Sequence, residues 1–109
     1  MAITPAVLCE LQLVAGVGVV YTSTNVTTLI DKCTLCNTTG GAVTVTLYLV
    51  PSGGAVSAPY TIISGRSIAA GETYLCPEVV GHILESGDTL RGSGLDVTLR
   101  ASGRQVSGV

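Results

Sequence analysis

A chain of 109 residues with a formal net charge of −2 is sized for one domain with one hydrophobic core, since domains cluster near roughly 100 to 150 residues. Only 11% of the residues are charged while 47% are hydrophobic, against about 25% charged in an ordinary globular domain, so Thr, Ser, Gly and apolar atoms must cover the exterior, as in a protein that spends its life against neighbours. The five basic residues, Lys32, Arg66, Arg91, Arg100 and Arg104, are thinly spread, and four Tyr stand without Phe or Trp, which excludes the clustered cations and stacking aromatics of a nucleic-acid platform.

In chain order, Pro5 to Val14 is a weakly patterned first strand. The apolar run Leu11 to Val20, broken by Gln12 and preceded by Glu10, falls well short of the ~20 residues that span a bilayer as a helix. Met1 to Val7 carries no Lys or Arg for the basic start of a signal peptide. Folding in the cytoplasm is therefore expected, with the sequons at Asn25 and Asn37 serving as turn residues rather than glycan acceptors. Val17 to Ser23 reads as the next strand.

Leu29 to Cys36 alternates, with Leu29, Cys33 and Leu35 on one face and Ile30, Thr34 and Cys36 on the other. Asn37 to Gly41 follows as a hairpin-like connection. Ala42 to Val50 is the clearest strand: Val43, Val45, Leu47 and Leu49 share one parity and Thr44, Thr46 and Tyr48 the other, the period of a half-buried strand. These two segments are expected to pair antiparallel. Pro51 to Gly54 ends the second of them, because Pro cannot donate to a ladder and Gly supplies positive φ.

Tyr60 to Ser64, Glu72 to Cys76, Thr89 to Gly92 and Val97 to Ala101 add four short strands. The single helix signal is at most one short turn near Pro77 to Leu84. With 14 Gly and regular turn signals, the class is all-β, an antiparallel β-sandwich or jelly roll of about seven to eight short strands. Residues 1–109 form one domain, with Met1 to Val14 and Ala101 to Val109 as candidate extended arms.

Cys33-Thr-Leu-Cys36 is the one arrangement that resembles a chemical motif. A four-ligand zinc site needs a second pair, and Cys9, Cys76 and the lone His82 supply none at ligand spacing. In a strand, moreover, side chains three apart point to opposite faces. The thiols are read as buried and reduced, and His82 as a partly buried structural residue. Glu10, Asp31, Glu72, Glu78, Glu85, Asp88 and Asp96 form no acid–base pair in sequence, and Glu85 to Asp88 reads as a tight turn with Asp capping backbone N–H groups. The Gly-rich pieces around Gly53 and Gly92 lack the strand, Lys and helix of a phosphate loop. No catalytic, cofactor-binding or metal-ligating residue is assigned, and the chain is read as a non-enzyme.

From about Val19 onward the sequence resembles small structural proteins of tailed bacteriophages. The resemblance rests on Val20-Tyr-Thr-Ser23, then Cys36-Asn-Thr-Thr-Gly-Gly-Ala-Val-Thr-Val-Thr-Leu-Tyr-Leu-Val-Pro-Ser-Gly-Gly54, then Ile68-Ala-Ala-Gly-Glu-Thr-Tyr74 and Leu84-Glu-Ser-Gly-Asp-Thr-Leu90, in that order. Such proteins include capsid decoration or cement proteins with sandwich or jelly-roll folds. The resemblance implies a virion protein on the capsid exterior that braces neighbouring major capsid subunits and self-associates as a dimer or trimer, without nucleic acid, membrane or cofactor. A tail, collar or head–tail component is the alternative within the same class. A carbohydrate-binding sandwich is the alternative from another, although Tyr21, Tyr48, Tyr60 and Tyr74 are scattered.

Overall fold

The computed structural model describes residues 2–107, and residue 1 and residues 108–109, the tips of the two expected arms, lie outside it. Nine strands follow in order: β1 (Ala2–Gln12), β2 (Gly18–Thr22), β3 (Thr27–Asn37), β4 (Val43–Val50), β5 (Thr61–Ile68), β6 (Thr73–Tyr74), β7 (Ile83–Leu84), β8 (Thr89–Ser93) and β9 (Val97–Ser107). One 3-10 turn, Ala58–Tyr60, precedes β5. The segment expected to hold at most one short helical turn makes a single turn, in which Val79 and Val80 donate to the Cys76 carbonyl, and then enters β7.

The strands form two antiparallel sheets packed as a sandwich. One has the order β1-β9-β3-β6, with β7 also on β3, and the other has β2-β8-β4-β5. The pairs β1·β9, β2·β8, β3·β6/β7 and β4·β5 are nested one inside the next along the chain. Wrapping such a ribbon brings β9 beside β3 and β8 beside β4, and this is the arrangement of a jelly roll.

That topology corrects one expectation. β3 and β4 do not pair; they lie in different sheets, and Asn37 to Gly41 carries the chain across the sandwich instead of turning a hairpin. Asn37 makes the crossing. Its buried side-chain amide donates to the Gly41 and Ile68 carbonyls, both at 2.8 Å, and its carbonyl oxygen accepts from the Thr39 N–H at 3.0 Å and hydroxyl at 2.6 Å. Local turn chemistry is therefore satisfied in full while the strands it joins go to separate sheets. Asn25, at φ 57 in the β2–β3 connection, is the turn residue expected of it.

A second correction concerns β3. The ladder to β9 slips between Ile30 and Lys32, so the extra residue reverses the alternation: Thr28 and Ile30 before it, and Cys33, Leu35 and Asn37 after it, all face inward. Leu29, assigned from sequence to the face of Cys33 and Leu35, is on the outside. Gly103 pairs with Ile30 at the bulge, where a Cβ would fall on the Leu29 carbonyl oxygen. The bulge and the glycine are one device.

Ile30, Cys33, Leu35, Leu84, Val97 and Leu99 from the first sheet meet Val45, Leu47, Ile63, Ile68 and Leu90 from the second in a single core. At one end the layer between the sheets is polar. Gln105 Nε2 donates to the Tyr21 hydroxyl at 2.9 Å, which is 3.0 Å from the Thr28 hydroxyl, itself 2.9 Å from Ser23 Oγ. Ser23 and Thr28 are buried, and among the described residues no buried side-chain nitrogen or oxygen lacks a partner, so this chain ties β2 to β3 and β9 without an uncompensated polar group.

The segments expected as arms are, over the described residues, two of the three longest strands. β1 pairs with β9 from Ala2–Ser107 to Gln12–Thr98, with a bulge at Leu8. Strands of 11 residues run about 36 Å, and they set the long dimension of a body 45 × 27 × 19 Å.

Candidate interaction surface

The outer face of the five-stranded sheet follows from its register. Ile3, Val106 and Thr27 stand in one row across β1, β9 and β3; Pro5, Arg104, Leu29 and Ile83 stand in the next, which reaches β7; Val7, Ser102 and Lys32 stand in the third. Farther along come Glu10, Arg100 and Thr34, then Gln12, Thr98, Cys36 and Thr73. The large aliphatic side chains are all at the first end, set among Arg104, Asp31 and Lys32, and the other end is polar throughout. Ile3, Val7 and Ile83 are 57%, 51% and 57% exposed, and large aliphatic side chains grouped this way on one rigid sheet are what a protein-binding face presents.

Charge on this face is neutralised in place. The Asp31 carboxylate, carried outward by the β3 bulge, receives Arg104 Nε and Nη2, each at 3.0 Å. Glu10 receives Arg100 Nη1 at 3.0 Å. Exposed pairs like these add little stability. Each carboxylate is matched by its own arginine, so these four residues leave no net charge on the face. Lys32 is the cation of the face without an ion pair among the described residues.

Other exposed aliphatics lie elsewhere. Val14 and Leu95 stand in neighbouring connections joined by bonds from Gly94 N–H to the Val14 carbonyl and Asp96 N–H to the Leu13 carbonyl, and Val19 lies nearby on β2. On the outer face of the second sheet, the row Thr44, Thr46 and Tyr48 is partly taken up internally: the Thr46 hydroxyl accepts from the Gly65 N–H at 3.1 Å.

The residues weighed for chemistry are dispersed. Cys33 faces the core and Cys36 the outside, so the CxxC sulfurs diverge as strand geometry requires. All four thiols are free, and Cys9, Cys33 and Cys76 are buried. Burial pushes the Cys9 thiol up to about 11, opposed by the Ala101 backbone. Cys33 is raised by its hydrogen bond to Cys76 and by burial, whereas Cys76, the acceptor in that bond, is lowered by it. His82 is exposed, not partly buried as the sequence suggested; it sits in the turn before β7, where only its backbone is engaged.

Among the carboxylates, Asp88 closes its turn as expected, accepting the Glu85 N–H at 2.9 Å and, in addition, the Ser52 N–H at 3.0 Å from the β4–β5 connection. Glu72 accepts the Ala69 N–H at 2.8 Å. Glu78 accepts the Tyr74 hydroxyl, which lowers the carboxyl and raises the phenol, and Arg66 lies 4.1 Å over the Tyr74 ring. Among the described residues no three His, Cys, Asp or Glu side chains are grouped to hold a metal ion. The four tyrosines fall on β2, β4, the 3-10 turn and β6 and form no common platform.

The apolar face was not found by sequence reasoning, because its rows come from β1, β3, β7 and β9. The one local signal was Asp31-Lys32, two consecutive charges in an alternating strand, which is how a bulge that pushes a charge outward reads. No protein-family model matches the chain, and no curated protein or solved structure matches it either.

Proposed function

We propose that the protein is a structural component of a tailed-phage virion that binds the outside of the capsid and braces neighbouring major capsid subunits. The observation that carries this reading is the outer face of the five-stranded sheet, where Ile3, Val7 and Ile83 stand exposed around an internally neutralised Asp31–Arg104 pair. The charge-poor composition and the ordered sequence resemblance over most of the chain support it. No catalytic or cofactor role is part of the reading.

The physics of the role is mass action. A clamp that binds the mature lattice and not its alternatives stabilises that lattice by its binding free energy. It must not deform under load, and a jelly roll with a close-packed core meets that need. Decoration sites lie on or near local symmetry axes, so self-association as a dimer or trimer belongs to the proposal.

Cosedimentation of the purified protein with mature and with unexpanded shells tests the reading. Saturable binding to mature shells, with a higher temperature of shell disruption, is expected. Absence of binding to either shell contradicts it.

A further inference from the structure

A row of thiols crosses the inner face of the five-stranded sheet. Cys9 pairs with Ala101, and Ala101 with Cys33. On the other side of Cys33, Leu35 pairs with Tyr74 and Cys36 with Thr73; β6 ends there, and Cys76, two residues on and at φ 48, shares a side-chain hydrogen bond with Cys33. Both are fully buried in the same core cluster. Thiols within hydrogen-bonding reach of each other need only a small adjustment to reach the geometry of a disulfide. The other two thiols are excluded. Cys9 is separated from Cys33 by the whole of β9, roughly 10 Å for two strand spacings, and Cys36 points out of the opposite face.

We propose that Cys33 and Cys76 are a site of reversible oxidation, closing a cross-strand disulfide that staples the β6–β7 segment to β3. This inference does not rest on the surface reading above. β6 is a two-residue strand at the sheet edge, so local opening there exposes the pair without unfolding the domain. Cys76 is the attacking sulfur, because it lies in the edge segment that opens to the oxidant while Cys33 stays in the ladder of β3 with β9.

With a hydroperoxide as oxidant, the Cys76 thiolate takes the terminal peroxide oxygen to give a sulfenic acid, and the other peroxide oxygen leaves as water or alcohol after protonation. Cys33 sulfur then attacks the sulfenic sulfur, the S–O bond breaks, and the hydroxyl leaves with the Cys33 proton as water. Two thiols are oxidised by two electrons in all, and one peroxide is reduced.

The test exposes the folded full chain to hydrogen peroxide, quenches it, and compares it with a sample held in dithiothreitol. Expected are an intact mass lower by two hydrogens and a melting temperature higher by roughly 10 °C, both reversed by dithiothreitol. A non-reducing peptide map of the Cys36→Ala variant should join the Cys33 peptide to the Cys76 peptide, and Cys9→Ala should change none of this. A map joining any other pair, a folded protein that gains only oxygen, or one that keeps its reduced mass overturns the proposal. The map is made without altering Cys33 or Cys76, so it decides the question in a protein that keeps both thiols.

Discussion

Asn37 shows how much one side chain can hold. It ends β3, is fully buried, and uses its amide to bind the Gly41 and Ile68 carbonyls and the Thr39 N–H and hydroxyl. Asn37→Ala strands those backbone groups in the interior, and urea unfolding should show a loss of about 3 kcal/mol. In sequence it read as a turn residue, which it is, but nothing local showed that the turn joins two sheets. Cys9 offers a titration at the same scale. Its folded thiol holds a proton up to about 11 against an ordinary 9.0, so between those values the unfolded chain binds fewer protons. Unfolding then releases protons, and the contribution of Cys9, fully present below pH 9, declines as pH rises, by at most about 1.4 kcal/mol per pH unit. Denaturation midpoints of wild type and Cys9→Ala should therefore converge over that window; parallel curves would refute the assignment.

At the scale of elements, strand existence was legible where period two is unbroken. Val45 and Leu47 are inside and Thr44 outside, as their parity in β4 requires. In β3 the same reasoning failed for Leu29, because a bulge reverses the faces and alternation cannot be carried across it. β6 falls inside the short strand expected at Glu72 to Cys76, whereas β7, two residues in a segment read as at most a helical turn, is too short for any periodic signal and forms because β3 offers it an edge. Gly103 is the element-scale test. A methyl group there meets the Leu29 carbonyl oxygen, so Gly103→Ala must shift β9 against β3, and a loss of about 2 to 4 kcal/mol in chemical denaturation is expected. Gly53, which has open space around it, should cost less than Gly103 despite its positive φ.

For the whole molecule, the all-β sandwich class followed from composition and turn spacing, but the pairing did not. In nested pairing each strand's partner is fixed by wrapping, and β1 and β9 come from opposite ends of the chain; no segment carries that information alone. The outer face of the five-stranded sheet inherits this property, since its rows exist only after β1, β9, β3 and β7 assemble. Val7→Lys and Ile83→Lys place charge on exposed positions and should leave the melting temperature nearly unchanged while abolishing cosedimentation with mature shells; unaltered binding would move the contact to another face. The most direct measurement is cryo-electron microscopy of purified virions carrying this chain, with its copy number taken from the reconstruction. Density for the sandwich is expected on the outer shell, its β1–β9–β3 face against the major capsid protein, at a copy number commensurate with the lattice. Density confined to the neck or tail, or none on the particle, would contradict it.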